Sequence, residues 1–289
     1  MHTPDPILGW KPKPGQYRLG PYLPGGSSVA VTIQPDGARR SGPDGAAGRP
    51  EVLLVGCSFT MGWAVADEQT WAWRLQELRP DVEVVNRGVG GYGTLQSLLL
   101  LEQLLRRDGQ RPARVLYGFL DHGWRNVAAP LWLRALSLNV NTVATPYATL
   151  RLDGRLERHP PEAYPSLPLH QHLASVALVE NALVQRHAAG RQAMATPVTE
   201  LLIKEMADLC RAAGVDFSLV FLSISKPTRA TYAAYAREHD IDVIDCDQQP
   251  RVDEMVAGEM AHPNDAVHRR WGDCIAAALA EPERLPGTK

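Results

Sequence analysis

The sequence predicts an α/β fold in which a five-stranded parallel sheet lies between two layers of helices. Short apolar runs alternate with segments of helical periodicity through residues 51–281, the order expected when helices connect parallel strands. The first run, residues 52–55, is apolar at every position, which is typical of a strand covered on both faces. Helix-start and helix-stop residues separate the later runs. Together these features favour a three-layer α/β/α sandwich.

Each predicted element has a sequence signal of its own. Five apolar runs are the predicted strands: residues 52–55, 82–85, 115–120, 217–224 and 241–245. Five segments with helical periodicity are the predicted helices: residues 70–78, 94–107, 196–214, 228–239 and 265–279. In the second helix, Thr94 can cap the first turn and Gly109 ends the element. In the third, Thr196 and Pro197 mark the start and Gly214 marks the end.

The two ends of the chain lie outside this alternation. Residues 1–50 are rich in proline and glycine and contain short extended pieces at 16–19 and 29–33. We therefore expect an N-terminal arm or small hairpin laid on the main domain of residues 51–281. Residues 282–289 form a short tail.

A long insertion interrupts the alternation at residues 125–196. Its first part, residues 130–168, holds several prolines and shows little periodicity, whereas residues 170–189 have the pattern of an amphipathic helix. The insertion follows the carboxyl end of a strand, and α/β folds bind ligands on that side of the sheet. We expect it to form a cap over the site and to influence substrate choice.

Net charge and hydropathy argue against nucleic acid as a partner and against a membrane-spanning segment. The formal net charge is −2 without a clustered basic patch, which argues against nucleic-acid binding. No apolar stretch reaches the roughly 18 residues of a membrane span. The N-terminal residues lack the basic and apolar regions of a signal peptide, so a cytoplasmic location is expected. The sequence does not indicate an oligomeric state.

The four cysteines are widely spaced and show neither a CxxC pair nor metal-ligand spacing: Cys57, Cys210, Cys246 and Cys274. A chain of this size does not need disulfides to be stable. We expect all four to be free thiols in a reducing compartment, and we expect neither a metal nor another cofactor.

A serine and a distant histidine carry the chemistry that the sequence predicts. Ser58 follows the first predicted strand, and His262 lies in a late segment where Glu259 precedes it by three residues. A serine hydroxyl is a poor nucleophile unless a base removes its proton, and the base needs an acceptor on its other ring nitrogen. We therefore predict a triad of Ser58, His262 and Glu259. Three aspartates are the rivals of Glu259 for the acidic role: Asp245, Asp247 and Asp253.

A glycine-rich turn at residues 86–93 follows the second predicted strand. Its backbone amides can hold the negative oxygen of a tetrahedral intermediate at the same sheet edge as the serine. The spacing of Gly88, Gly90 and Gly93 also matches a dinucleotide-binding fingerprint. However, the turn belongs to the second strand–helix unit, and Asp121 comes later than the roughly 20 residues expected for the ribose-binding acid. A nicotinamide or flavin site is therefore disfavoured.

These blocks resemble the SGNH (GDSL-like) hydrolases. Ser58 matches the serine of that family's Gly-Asp-Ser segment, and His262 matches the base of its late Asp-x-x-His segment. The family's second block is an asparagine followed five residues later by the glycine of the oxyanion hole. In this chain those positions are Asn86 and Gly91.

The resemblance covers residues 51–124 and 198–280, in three ordered blocks that agree with the predicted strands. It implies a flavodoxin-like sandwich and a serine esterase whose oxyanion hole includes the amides of Ser58 and Gly91. The arm and the insertion are not covered.

Three positions depart from the family pattern. Cys57 replaces the aspartate before the serine, so a thiol nucleophile is a conceivable alternative, although no base is adjacent to it in the sequence. Leu120 stands where the family has the oxyanion asparagine; Asn126 from a shifted position, or His122, can supply that donor. Glu259 replaces the usual aspartate and adds one methylene to the partner of the base.

The predicted function is hydrolysis of a short O-acyl ester, on a small molecule or a glycan. Two alternatives remain open: an O-acyltransferase that uses the same acyl-enzyme, and a non-catalytic binding protein that keeps the fold. The α/β-hydrolase pattern fits less well because Thr60 occupies the second glycine position of its Gly-x-Ser-x-Gly motif. Several tryptophans near the blocks can pack in the core or stack on a sugar ring: Trp63, Trp71, Trp73, Trp124 and Trp132.

Overall fold

A computed structural model describes residues 1–43, 48–106, 111–139, 144–170, 172–257 and 262–280. The chain divides into two compact units. The sheet unit comprises Pro14–Gly90, Gly109–Leu120 and Cys210–Lys289. The insertion unit comprises Met1–Lys13, Gly91–Asp108 and Asp121–Leu209.

The secondary structure consists of eleven strands and nine helices within the described ranges. The strands are β1 (His2–Asp5), β2 (Gly9–Pro12), β3 (Gly15–Leu19), β4 (Val29–Ile33), β5 (Glu51–Gly56), β6 (Glu83–Asn86), β7 (Arg114–Phe119), β8 (Thr145–Leu150), β9 (Leu156–Glu162), β10 (Asp216–Phe221) and β11 (Asp242–Asp245). The helices are α1 (Ser58–Met61), α2 (Trp71–Leu78), α3 (Thr94–Leu105), α4 (Gly123–Asn126), α5 (Pro130–Asn139), α6 (Ala174–His187), α7 (Ala195–Ala213), α8 (Lys226–Glu238) and α9 (Asp265–Ala280).

The sheet unit contains the predicted five-stranded parallel sheet. Its strand order is β11-β10-β7-β5-β6, and every neighbouring pair is parallel. In chain order this is the 2-1-3-4-5 arrangement of a flavodoxin-like fold, whose ligands bind where the first and third strands separate at their carboxyl ends. The prediction of fold class is confirmed, and the carboxyl end of β5 lies at that point.

Helices of the sheet unit cover both faces of the sheet. On one face, α2 and α9 pack against apolar side chains from the central strands, and Trp71 and Trp271 are fully buried there. On the other face, the Tyr232 ring of α8 lies 4.6 Å from the Phe119 ring of β7 in an edge-to-face contact. Residues alternate between the faces because strand side chains have a period of two.

The N-terminal arm is more structured than its composition indicates. Both predicted extended pieces are confirmed as the antiparallel pair β3–β4 of the sheet unit. No sequence signal predicts β1 and β2, which form a second antiparallel pair in the insertion unit. Alternation of apolar and polar residues is weak in strands as short as four residues, which explains why this pair was missed.

The insertion unit has regular structure where little was predicted. Residues 130–168 contain α5 and the antiparallel hairpin β8–β9. The sequence does not predict β9 because Pro160 and Pro161 argue against a strand. Proline is nevertheless tolerated in a two-stranded hairpin, where both strands are edge strands. The predicted helix at 170–189 is confirmed as the shorter α6. The prediction that this region caps the site stays a prediction.

One of the two predicted ends of α3 is wrong. The N-cap of α3 is Gly93, and Thr94 is the first helical residue, so the expectation that Thr94 caps this helix is wrong. The helix needs no side-chain cap from Thr94 because the Gln96 side chain accepts a hydrogen bond from the Gly93 amide. Gly109, expected to end the same helix, lies outside the described residues.

The cysteines also differ from expectation. A disulfide joins Cys246, just after β11, to Cys274 of α9, with Cα atoms 5.9 Å apart. The prediction of four free thiols is therefore wrong for this pair, whereas Cys57 and Cys210 are free and buried. A separation of 28 positions in the chain is no sequence signal for this pair, because only the packing of α9 beside the sheet brings the two cysteines together.

Candidate active site

Ser58 stands at the carboxyl end of β5, on a turn that glycine makes possible. Gly56 has a φ of +151°, and a Cβ atom there would lie 2.2 Å from Oγ1 of Thr60 and 2.7 Å from the carbonyl oxygen of Gly118. Cys57 then adopts an extended conformation as the N-cap, and Ser58 is the first residue of α1. The tight turn therefore places the serine directly at the sheet edge.

The short helix α1 is held closely by the neighbouring strand β6 and the turn after it. Nδ2 of Asn86 donates a hydrogen bond of 2.9 Å to the Thr60 carbonyl, and Oδ1 of Asn86 accepts one of 3.0 Å from the Gly88 amide. A Cβ on Gly88 would lie 2.4 Å from the Met61 backbone nitrogen, so only glycine fits there. Asn86 is fully buried. Hydrogen bonds from the end of β6 thus fix the backbone of α1.

His262 lies on a loop that backbone pairing and a helix cap both constrain. Met255 and Pro263 form an isolated β-bridge, and the Val256 amide donates a 2.8 Å hydrogen bond to the His262 carbonyl. Oδ1 of Asn264 accepts a 3.1 Å hydrogen bond from the Ala266 amide in the first turn of α9. The loop therefore presents the histidine from a rigid helix start.

The structure brings the two predicted residues together. Nε2 of His262 lies 2.9 Å from Oγ of Ser58, although 204 positions separate them in the chain. Ser58 is only 6% exposed, and the Phe59 and Trp63 rings lie 5.5 and 6.3 Å from the imidazole. A histidine nitrogen at this distance can accept the hydroxyl proton. The pair therefore has the geometry of a nucleophile and its base.

Glu259, the acidic partner predicted for His262, lies outside the described residues. The three rival aspartates each have another partner: Asp245 pairs with Arg229, Asp253 pairs with Arg251, and Asp247 accepts a hydrogen bond from the Ile224 amide. The role of Glu259 stays a prediction.

Both residues predicted to complete the oxyanion hole, Gly91 and Asn126, belong to the insertion unit. Nδ2 of Asn126 donates to Oγ1 of Thr94 at 3.0 Å and to Oγ1 of Thr199 at 2.8 Å, and Oδ1 accepts from the Leu95 amide. Both amide hydrogens are thus donated, so an oxyanion contact from Asn126 would replace one of these bonds. The oxyanion assignments of Gly91 and Asn126 stay predictions.

Two departures from the family pattern fall in the core. Cys57 and Leu120 both belong to the buried apolar cluster beneath α2 and α9, at 5% and 8% exposure. The Cys57 side chain packs in this cluster, whereas the Ser58 hydroxyl lies 2.9 Å from Nε2 of His262. The arrangement favours Ser58 over its neighbour. The third oxyanion candidate, His122, stacks edge-to-face on Trp124 in the insertion unit.

A second histidine, His268 of α9, is fully buried in the sheet unit. Its Nδ1 accepts a 3.4 Å hydrogen bond from the Trp71 amide, and its ring contacts Trp271 edge-to-face. Burial, with a smaller contribution from the positive charge of Arg39, lowers the pKa of His268 to about 3. In the folded protein the His268 imidazole is therefore neutral near neutral pH.

In His268→Gln, the free energy of unfolding is expected to depend less on pH below neutrality than it does in the wild type. Below about pH 6.5 the unfolded chain binds a proton that the folded chain binds only near pH 3, so folding stability falls as pH falls through this window. One such proton contributes up to about 1.4 kcal/mol per pH unit. Urea unfolding between pH 7.5 and 4.5 measures the slope. The partly exposed His239 provides the control His239→Gln, and an equal slope in the wild type and His268→Gln would contradict the assignment.

Across the described ranges, no group of three or more histidine, cysteine, aspartate or glutamate side chains is placed to hold a metal ion. Of the helices in the described part of the chain, none combines the length and hydropathy needed to cross a membrane.

Comparison with known proteins gives matches in structure alone. No family model matches this chain, and no curated protein matches it in sequence. Similar solved structures include a psychrotrophic esterase, EstA, from Pseudoalteromonas (11% identity, TM-score 0.46, covering 80% of this chain and 96% of that one). A member of the lipolytic protein G-D-S-L family from Veillonella parvula is 13% identical, with a TM-score of 0.44 and coverage of 80% and 99%. A GDSL-like lipase from Bacteroides thetaiotaomicron is 15% identical, with a TM-score of 0.43 and coverage of 79% and 87%.

Proposed function

We propose that this protein is a serine esterase of the SGNH type that cleaves a short O-acyl ester. The observation that carries the proposal is the 2.9 Å contact between Oγ of Ser58 and Nε2 of His262. The serine stands at the carboxyl edge of a parallel sheet, where α/β folds bind ligands. Its helix is fixed by buried hydrogen bonds, which gives the nucleophile a defined position.

In the first half of the reaction, Oγ of Ser58 attacks the ester carbonyl carbon while Nε2 of His262 takes the hydroxyl proton. The carbonyl oxygen becomes negative, and the amides of Ser58 and Gly91 are the proposed donors that stabilise it. The bond to the leaving oxygen then breaks, and the protonated imidazole returns its proton to that oxygen. The products of this half are an acyl-serine and a free alcohol.

In the second half, His262 takes a proton from a water molecule that attacks the acyl-serine carbonyl. Collapse of this second intermediate releases the carboxylic acid and restores the Ser58 hydroxyl with the proton from His262. Glu259 is proposed to accept from the other ring nitrogen of His262 and to stabilise its positive form. An alcohol in place of water would give an acyltransferase, so the acceptor decides between these two outcomes.

Labelling with an alkyl fluorophosphonate tests the nucleophile directly. The wild-type protein is expected to gain one phosphonyl group, which peptide mass spectrometry places on Ser58. Ser225 is an exposed serine of the same unit, at the N-cap of α8, and supplies the matched control. Ser225→Ala should label like the wild type, whereas Ser58→Ala should not label. Labelling that persists in Ser58→Ala would overturn the proposed nucleophile.

A further inference from the structure

Arg39 is a buried cation whose guanidinium faces the chain just after the serine helix. The residue is 1% exposed and lies in the sheet unit, between the β3–β4 hairpin and β5. Its Nη1 donates to the carbonyls of Met61, at 2.9 Å, and Gly62, and its Nη2 donates to the carbonyl of Val65 at 2.7 Å. One side chain therefore binds three carbonyls of the backbone that follows Ser58.

The Met61 and Gly62 carbonyls lie at the end of α1, where an isolated helix leaves its acceptors without partners, and the Val65 carbonyl lies three residues further along the chain. The Ser58 carbonyl is itself bonded to the amides of Gly62 and Trp63, at 2.8 and 2.9 Å. Together with these backbone bonds, the guanidinium links the backbone from Ser58 to Val65 by hydrogen bonds. A displacement of this segment would move the backbone that carries the serine hydroxyl.

The positive charge of Arg39 is paired within the same unit. Its Nε donates to Oδ1 of Asp67 at 3.1 Å, and the Asp67 carboxylate also accepts from the Thr32 amide of β4. The Arg39 amide donates a 2.8 Å hydrogen bond to the Asn86 carbonyl at the end of β6. The same residue is therefore anchored to a hairpin, to a sheet strand and to the serine segment.

A buried ion pair is a poor way to stabilise a fold, since apolar side chains of similar volume often serve as well or better. What the planar fork supplies is directional geometry: several donors in fixed positions, which a lysine cannot reproduce. Here every one of its nitrogens points to a backbone carbonyl or carboxylate around the serine segment. This geometry fixes the position of the backbone that follows Ser58.

We propose that Arg39, with Asp67, is a positioning residue that holds Ser58 in line with His262. The inference rests on the proposed function and extends it to the N-terminal arm. The arm then contributes part of the scaffold of the active site.

The test compares Arg39→Lys with the wild type in hydrolysis of a nitrophenyl acetate ester. A displacement of about 1 Å at a reacting group can cost on the order of 100-fold in rate, so kcat is expected to fall about 100-fold. KM is expected to stay within about three-fold, because Arg39 is 1% exposed and its guanidinium bonds to backbone carbonyls and Asp67. Ethylguanidinium added to Arg39→Ala should restore part of the lost kcat by refilling the cavity with the same fork.

The matched control is Arg114→Lys, at the opposite end of the sheet. Arg114 begins β7 and binds Asp216 and Ser218 there, so its loss weakens an ionic network without touching the serine segment. This variant should keep wild-type kcat even if its Tm falls. Equal kcat in Arg39→Lys and the wild type, or an equal loss in Arg114→Lys, would overturn the proposal.

Hydrogen exchange gives a readout that does not depend on ester turnover. Amides in peptides covering residues 58–65 should exchange about 10-fold faster in Arg39→Lys and at the wild-type rate in Arg114→Lys. Should the Arg39 variants fail to fold, Asp67→Asn keeps the carbonyl contacts, removes the paired charge and should show a smaller loss of kcat in the same direction. Absence of turnover in the wild type would refute the esterase, whereas unchanged exchange would refute the positioning role.

Discussion

Ser58→Ala is expected to lower kcat for a short-chain nitrophenyl ester by about 10⁴-fold or more, with the fold intact. Removal of the oxygen leaves no atom to form the acyl-enzyme, and only transition-state binding by the remaining site can contribute. The hydroxyl is small and lies at the sheet edge, so its loss creates little cavity. Initial rates at saturating ester, with circular dichroism as the check on folding, give the result.

Cys57→Ala is the control for this prediction because Cys57 is the neighbouring nucleophilic side chain. Its sulfur is packed in the apolar cluster of the sheet unit, so its loss should change kcat by less than about 10-fold. The opposite pattern, with activity retained in Ser58→Ala and lost in Cys57→Ala, would assign the nucleophile to the thiol.

His262→Gln is expected to lower kcat to nearly the same extent as loss of the serine. The glutamine amide cannot take the hydroxyl proton, so the 2.9 Å contact loses its chemical purpose even where a hydrogen bond is kept. Residues that act as one unit give non-additive losses. The double variant Ser58→Ala/His262→Gln should therefore be no slower than Ser58→Ala by more than a few fold.

His239→Gln serves as the histidine control, since His239 is the C-cap of α8, where its Nδ1 bonds to the Tyr235 carbonyl and its ring stacks on the Tyr235 ring. It should keep wild-type kcat. If the fold-loss of kcat in the double variant equals the product of the two single fold-losses, Ser58 and His262 act independently. The proposed mechanism would then fail.

The sheet could be predicted because its signal is local. The fully apolar run of β5 indicates a strand buried on both faces, and this is how the structure places it. Ser58 and His262 were candidates because each lies in a short block, and the ordered blocks together resemble one family. The strand needed only neighbouring positions, whereas the pair needed blocks 204 positions apart to be considered together.

The hairpin of the insertion and the disulfide could not be predicted in this way. β9 contains two prolines and pairs only with β8, so its local composition argues against a strand that the hairpin nevertheless stabilises. Cys246 and Cys274 meet because α9 returns along the sheet. Propensity and spacing carry no information about such contacts between distant segments.

The amino-acid sequence by itself predicted the five strands of the parallel sheet and the candidate pair Ser58 and His262, because periodicity and short motifs lie in adjacent residues. Only the tertiary structure decided that Arg39 and Asn86 hold the serine segment, because their partners are backbone carbonyls that any sequence could supply. A backbone acceptor has no residue type to recognise. Its use becomes visible only when the chain has folded and the buried donors have been matched with their acceptors.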